Sequence, residues 1–124
     1  MSKIVTKNAP AAIGPYSQGV TAGKFVFVSG QLPLDPATGV FPEGGIKVLT
    51  AQSLKNIEAI IHEAGGSLEN VVKTSIFVTD LKQFAEVNEA YGEFFGDIPP
   101  ARSCVEVAAL PKGASIEIEA IAYI

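Results

Sequence analysis

Cysteine and histidine are scarce in this sequence, which contains one of each among 124 residues. Because a single cysteine cannot form a disulfide within the chain, this usage fits a reducing compartment such as the cytosol. Cys104 and His62 together cannot supply an ordinary zinc shell, so we expect no metal site. The chain also lacks a Gly-x-Gly-x-x-Gly or phosphate-loop motif, and nothing in the sequence requires a cofactor.

Positive charge is the second shortage, because nine Lys and Arg stand against 13 Asp and Glu and give a net charge of −4. Binding to nucleic acid or to an anionic membrane depends on clustered Lys and Arg, and the lysines here are scattered. No signal-peptide pattern is present, and no apolar run approaches about 18 residues. We therefore expect a cytoplasmic protein whose partners include neither nucleic acid nor a membrane.

Hydrophobic residues are plentiful instead. They make up 48% of the sequence, whereas charged residues make up 18%, and this balance favours a packed core over disorder. A chain of this length is expected to form one domain over residues 1–124.

The hydrophobic pattern predicts strands, a helix, a strand, a second helix and two closing strands. Alternation with period 2 places the strands at residues 4–5, 16–21, 24–30, 71–79, 100–108 and 115–121. Because two helices cannot cover both faces of so wide a sheet, they should pack on one face. The expected fold is therefore α+β, a two-layer sandwich in which two helices cover one face of a mixed, mostly antiparallel sheet.

Both helices carry start and stop signals. The 3.6-residue period predicts the first helix over 46–64, and Gly65-Gly66 should end it with a left-handed cap. The second is expected to begin after Asp80 as N-cap, with Gln83 as its capping-box partner, and to end near Phe95. Its buried apolar stripe would consist of Phe84, Val87, Tyr91 and Phe94.

The two closing strands, residues 100–108 and 115–121, are expected to pair as an antiparallel hairpin, because their connector is short and contains Pro and Gly. One sheet face would then remain uncovered and carry Arg102, Cys104, Glu106, Glu117 and Glu119, joined by Phe25, Phe27 and Ser29 of an earlier strand. Such a mixture of Phe and charge is a poor surface for a monomer. We therefore expect copies of the chain to cover this face in a closed ring.

Arg102 and Glu117 are the candidate functional residues of that face. A guanidinium offers a planar fork that fits a carboxylate at two points, although an ion pair from Arg102 to Glu117 or Glu119 is the more ordinary use of such a residue. Glu117 can serve as a general acid or base if burial or a neighbouring carboxylate raises its pKa. The alternative interpretation is that Glu117 is an ordinary solvent-exposed residue on a strand face.

Cys104 lies two residues beyond Arg102 on the same strand, and a nearby cation can lower the pKa of a thiol. A nucleophilic thiol also needs a base, and the sole histidine, His62, is expected on the surface of the first helix. We therefore interpret Cys104 as a small buried residue rather than as a nucleophile.

Several motifs, in order along nearly the whole chain, resemble those of the RidA/YjgF family, the reactive-intermediate (enamine/imine) deaminases. The closing motif is Pro100-Ala-Arg-Ser-Cys-Val-Glu-Val107, followed after a short loop by Ile116-Glu-Ile118. The earlier matching segments are Ala11-Ala-Ile-Gly-Pro-Tyr-Ser-Gln-Gly19, Ser29-Gly-Gln31, Val71-Val-Lys-Thr74 and Phe77-Val-Thr-Asp-Leu81.

This resemblance implies a chorismate-mutase-like fold and a homotrimer, in which sheets from three subunits form a central barrel and the pockets lie in clefts between subunits. It also implies hydrolysis of 2-imino acids and their enamine tautomers, such as 2-aminoacrylate, 2-iminopropanoate and 2-iminobutanoate. The products would be 2-oxo acids and ammonia, and the reaction needs no metal.

The resemblance further implies roles for individual residues. Arg102 matches the arginine that grips the substrate carboxylate, and Glu117 matches the glutamate proposed to position or deprotonate the attacking water. Cys104 matches a pocket cysteine whose backbone carbonyl, rather than its thiol, is implicated. The remaining matches to pocket-lining positions are Tyr16, Ser29, Gly30, Gln31 and Asn88.

Two other functions stay open at this point. A non-catalytic regulatory trimer can bind a 2-oxo acid in the same cleft, because Arg102 serves both uses. RNA cleavage has been ascribed to some members of the family, but the acidic balance of the chain and its single histidine argue against it.

Overall fold

The structure, a computed structural model that describes residues 1–124, contains one six-stranded sheet and two α-helices. The strands are β1 (Ser2–Ile4), β2 (Gly19–Ala22), β3 (Phe25–Gln31), β4 (Val71–Val78), β5 (Ala101–Glu106) and β6 (Ile116–Tyr123), and the helices are α1 (Ile46–Glu63) and α2 (Phe84–Gly92). The sheet order is β1-β2-β3-β6-β4-β5. Only β4 and β5 pair in parallel, so the predicted fold class is confirmed.

Alternation along the strands places one face of the sheet under the helices. The buried side chains of β6 are Ile116, Ile118, Ala120 and Ala122, and α1 contributes Leu54, Ile57, Ile60 and Ile61 to the same core. Burying one Leu or Ile side chain stabilises a fold by about 1.5–3 kcal/mol, so this layer is the main source of stability. Neither helix has the length and apolar character needed to cross a membrane.

The predicted hairpin of the two closing strands is wrong. β4 lies between them, paired in parallel with β5 and antiparallel with β6. The connector carries the chain across the end of β4, where the Val107 N–H donates to the Val78 carbonyl at 2.8 Å and the Thr79 N–H donates to the Ser115 carbonyl at 3.1 Å. The unbroken apolar face of β6 is buried best in the centre of the sheet, whereas the more polar β5 takes an edge.

The end of α1 is as predicted, but both ends of α2 differ from the prediction. Gly65 has a φ of +92° and its N–H donates to the His62 carbonyl, as in a left-handed C-terminal cap. Asp80 instead caps a short 3₁₀ turn over 81–83 by accepting from the Lys82 N–H, and the Gln83 side chain makes no capping bond. α2 therefore begins at Phe84, after the tighter turn, and it ends at Gly92, a poor helix former.

Candidate functional site

The structure divides the predicted site residues between two places on the chain. One group, the arginine half, consists of Asn88, Arg102 and Cys104 on α2 and β5. The other, the glutamate half, consists of Tyr16, Ser29, Gly30, Gln31 and Glu117 on β3, β6 and the loop before β2. The prediction that one sheet face carries both reactive residues is therefore tested by the register of the strands.

The register puts Arg102 and Glu117 on opposite faces of the sheet. Arg102 lies beside Thr74 of β4, which is buried on the helix side. Glu117 lies beside Phe77, whose side chain points to the uncovered face. The expectation of a single shared face is wrong, because it followed from the hairpin that does not form. The alternative of an ion pair between Arg102 and Glu117 or Glu119 is wrong for the same reason.

Cys104 and Glu106 share the helix side with Arg102, so they also leave the face on which they were predicted. Cys104 lies beside Ile76 of β4 and packs against the hydrophobic core. Burial raises the pKa of its thiol, and the opposing effect of the Arg102 charge on that pKa is smaller. Glu106 accepts a hydrogen bond from the Leu81 N–H at 2.9 Å. These environments favour a packing role for the thiol and a structural role for Glu106.

The arginine half is organised by α2. An N–H of Arg102 Nη1 donates to Asn88 Oδ1 at 2.7 Å. The guanidinium carbon lies 5.0 Å from the ring centroid of Tyr91 and 5.5 Å from that of Phe84. The one ion pair of the chain joins Lys47 to Glu89 at 2.9 Å, so no carboxylate of this chain neutralises Arg102. A guanidinium in this setting can accept a ligand carboxylate.

The glutamate half lines an open cleft of about 760 Å³ on the other side of the sheet. Tyr16, Ser29, Gly30, Gln31 and Glu117 all contribute to its wall. Burial raises the pKa of the Glu117 carboxyl, and the nearby charge of Glu119 raises it further. A carboxyl group whose pKa is raised toward neutrality is suited to exchange protons with a bound water.

Gly30 gives the Glu117 side chain its room. A Cβ atom on Gly30 would lie 2.8 Å from Cδ of Glu117 and 3.0 Å from its Oε1. This close approach follows a register shift in β3 between Val28 and Gln31, which also turns Gln31 into the buried face. The shift breaks the regular alternation of faces predicted from the sequence. Alternation alone therefore predicts neither the approach of Gly30 to Glu117 nor the burial of Gln31.

The loop before β2 is held by Gln18, which sequence reasoning did not single out. Its buried Oε1 accepts from the Thr6 N–H at 2.7 Å, and its Nε2 lies 3.0, 3.2 and 2.8 Å from the carbonyl oxygens of Thr6, Ala9 and Pro10. Ser29 adds a hydrogen bond from its hydroxyl to the Ser17 carbonyl at 2.6 Å. These bonds fix the loop that carries Tyr16. The one signal was the place of Gln18 within the N-terminal motif.

Comparison with known proteins gives the class of the protein. The family model described as Endoribonuclease L-PSP matches residues 6–124. The chain therefore belongs to this family, which is the RidA/YjgF family, and the resemblance drawn from its motifs is confirmed.

Individual relatives agree with this assignment. The chain is 55% identical to the 2-iminobutanoate/2-iminopropanoate deaminase of Salmonella typhimurium, with 98% of each chain covered. Its structure matches that of the YjgF gene product of E. coli with a TM-score of 0.95 at 50% identity, covering 99% of this chain and 98% of that one. It also matches E. coli TdcF with bound serine, with a TM-score of 0.96 at 46% identity, covering 100% and 99%.

Proposed function

We propose that this protein is a deaminase that hydrolyses 2-imino acids and their enamine tautomers to 2-oxo acids and ammonia. The observation that carries the proposal is the pairing of chemistries: an arginine without an ion-pair partner, suited to a carboxylate, and a half-buried glutamate with a raised pKa, suited to a water. The activity named for the Salmonella relative at 55% identity supports it.

In this mechanism Arg102 binds the substrate carboxylate and so fixes the imine carbon in the cleft. Glu117 orients a water and takes its proton as the oxygen attacks that carbon. The C–O bond forms as the C=N π bond breaks, which gives a carbinolamine. Its nitrogen then receives a proton, and the C–N bond breaks as the hydroxyl oxygen loses its proton to form C=O, so that ammonia leaves. Because a protonated imine is already electrophilic, positioning of the substrate and one water supplies most of the acceleration.

The opposite faces of Arg102 and Glu117 support a site that two copies of the chain complete together. A small imino acid cannot reach both groups through the sheet of one chain. The uncovered face also exposes an aromatic patch, in which Phe25 and Phe27 are each 43% exposed and Tyr123 is 47% exposed. The Phe25 ring lies 5.1 Å from that of Tyr123 and 6.3 Å from that of Phe27. Exposed apolar surface of this kind favours association.

The assembly proposed is a homotrimer, with the arginine half of one subunit facing the glutamate half of the next. The number three rests on the family resemblance. A cytoplasmic location is part of the same proposal, and the single cysteine supports it.

The test follows an imine generated in place by a serine or threonine dehydratase. Its decay is recorded with the wild-type protein, with Arg102→Ala and without addition. Wild type should accelerate the decay, and the variant should lose about 10²-fold or more of that acceleration, because it loses a charge-assisted bidentate contact. Decay with wild type no faster than the uncatalysed rate would contradict the deaminase function for these substrates.

A second candidate is a ligand-sensing trimer without turnover. The relative TdcF was solved with bound serine, a carboxylate compound that is not an imine, and Arg102 can bind such a ligand as well. Glu117→Ala distinguishes the two functions, because sensing of a carboxylate should survive this change and imine hydrolysis should not.

The family description also names a ribonuclease, which the cleft does not favour. Asp35, Glu117 and Glu119 line it and Lys112 is the one Lys or Arg among its lining residues, so a polyanion meets net negative charge there. RNA titrated at increasing salt should show no specific affinity.

A further inference from the structure

α2 directs three side chains at Arg102 from one face. Phe84, Asn88 and Tyr91 are spaced i, i+4 and i+7, which places them in a row along a helix. Asn88 accepts one guanidinium N–H, and the rings of the other two lie 5.5 and 5.0 Å from the guanidinium carbon. Both distances are within the range of about 6 Å over which an aromatic face attracts a cation.

Tyr91 is itself anchored from behind. Its hydroxyl shares a 2.7 Å hydrogen bond with Oγ1 of Thr74, and both residues are buried. Thr74 is also the direct neighbour of Arg102 across the β4–β5 pair. Arg102, Thr74 and Tyr91 therefore each contact the other two. Strand pairing joins Arg102 to Thr74, the hydroxyl hydrogen bond joins Thr74 to Tyr91, and the ring–cation contact joins Tyr91 to Arg102. The Phe95 ring, 4.7 Å away, supports the Tyr91 ring from a further side.

Phe84 gives the second line of support, because core packing does not account for it. Its side chain is 39% exposed, unlike Tyr91 at 5%, although both belong to the stripe that the sequence predicted as apolar core. An exposed phenylalanine is common and needs no explanation by itself, so its role is indicated by the group that its ring contacts. What its ring contacts is the guanidinium of Arg102.

Aromatic rings leave more of the guanidinium N–H donors available to a ligand than a carboxylate partner does. A guanidinium has five N–H donors, and Asn88 engages one of them. The aromatic rings attract the cation without accepting its N–H bonds in the guanidinium plane. The Phe84 and Tyr91 rings can therefore restrict the many rotamers of Arg102 while most of its N–H donors stay available to a ligand.

We propose that Tyr91 and Phe84 are positioning residues, which hold the Arg102 guanidinium so that the donors not used by Asn88 face the substrate carboxylate. This role rests on the proposed function in one respect, since Arg102 must bind a carboxylate. It does not require that the bound compound be hydrolysed.

The experiment measures the affinity of a stable carboxylate, 2-oxobutanoate, by isothermal titration calorimetry. Tyr91→Leu should weaken binding about 10-fold and Phe84→Leu about 3-fold, in keeping with partly buried and exposed cation–ring contacts. Phe94→Leu is the matched control, because it removes a ring from the turn that follows α2, where the ring makes no contact with Arg102. It should bind within about 2-fold of wild type. Arg102→Ala gives the reference affinity for 2-oxobutanoate when the contact with the guanidinium is lost completely.

Two further readouts separate positioning from general damage. Tyr91→Phe and Thr74→Val remove the same hydrogen bond, so the double variant should bind no more weakly than either single variant. With an imine substrate, Phe84→Leu should raise KM and leave kcat within about 2-fold, since the exposed ring holds the binding group and not the water. Because Phe84 is at the surface, this variant should fold even if Tyr91→Leu does not.

Wild-type affinity for Phe84→Leu and for a folded Tyr91→Leu would overturn the positioning role, as would equal weakening by Phe94→Leu. Absence of Arg102-dependent binding in wild type would overturn it too. If wild type binds 2-oxobutanoate through Arg102 and yet fails to accelerate imine decay, the deaminase function fails while the positioning role is still decided by these variants.

Discussion

The arginine half and the glutamate half differ in what holds their reactive side chain. Arg102 is held by side chains, an amide and two aromatic rings from α2, on the covered side of the sheet. Glu117 lies on the uncovered side, against the bare backbone of Gly30 and near a second carboxylate, that of Glu119. On the proposed mechanism, one chain thus contains a complete carboxylate clamp and an incomplete cleft. The difference suggests that damage to the two halves should separate binding from turnover.

Glu117→Gln should give the largest effect within the glutamate half. The amide cannot take a proton from water, so turnover of the imine should fall by about 10²–10⁴-fold. The affinity for 2-oxobutanoate should stay within about 3-fold of wild type, because the carboxylate clamp is intact. Steady-state kinetics and calorimetry on the same preparation check both. A variant that loses affinity and turnover together would show that the two halves do not divide the work in this way.

Gly30→Ala should reduce turnover by about 10- to 100-fold while leaving the fold intact. The added methyl group would come within 2.8 Å of the Glu117 carboxyl carbon, and the flexible side chain can move aside at little cost to stability. The displaced Glu117 carboxylate would then no longer be positioned to hydrogen-bond the attacking water. Thermal unfolding and kinetics of this variant are compared with Gly96→Ala, where a Cβ meets nothing within 4 Å. Unchanged turnover in Gly30→Ala would remove the positioning role of this glycine.

Gln18→Leu tests the loop that completes the cleft. The change removes the partner of the Thr6 N–H and three carbonyl contacts in a buried place, so the free energy of unfolding should fall by about 2–3 kcal/mol. Denaturant unfolding measures it. Gln83→Leu, whose side chain makes no capping bond, is the control and should change the stability by about 0.5 kcal/mol or less. Equal effects from both changes would mean that the Gln18 network stabilises nothing.

Glu119→Gln should give the smallest effect, a shift of the pH profile. Burial and then Glu119 raise the pKa of Glu117. The proposed mechanism uses the Glu117 carboxylate, so it predicts that kcat/KM falls as the pH drops through that pKa. Removing the Glu119 charge lowers this pKa and moves the acid limb to lower pH. Glu43→Gln, in an exposed loop, should leave the limb in place. A limb that stays fixed in Glu119→Gln would show that another group controls it.

The same raised pKa has a consequence for stability. Glu117 binds its proton more tightly in the folded chain than in the unfolded chain, so its contribution to stability falls as the pH rises from the unfolded pKa through the folded one. Glu119→Gln relieves part of this loss above that range.

Sequence periodicity located the strands and helices well but did not determine which strands are neighbours. The short connector between β5 and β6 favoured a hairpin, yet β4–α2–β5 is the strand–helix–strand arrangement that brings two parallel strands together. The placement of β6 beside β4 depends on burying Ile116 and Ile118 between two neighbours, which is a property of the whole sheet.

For the candidate site too, the sequence identified residues but not how they are arranged in space. Family motifs pointed to Arg102 and Glu117, but their separation on two faces depends on the strand order and so could not be read from either segment. The contact between Gly30 and Glu117 depends on the register shift after Val28. Gln18 and Tyr91 were missed as supporting residues, because their value lies in burial and in partners that are distant along the chain.

The central claim is that a complete site takes its arginine half from one copy of the chain and its glutamate half from another. It is tested by mixing Arg102→Ala and Glu117→Gln subunits, each inactive alone, by co-refolding at equal amounts. Random assembly should restore about one quarter of wild-type imine hydrolysis, because about one in four facing pairs joins two intact halves. A mixed assembly with no more activity than its separate components would contradict the claim and would place both halves of the site within one chain.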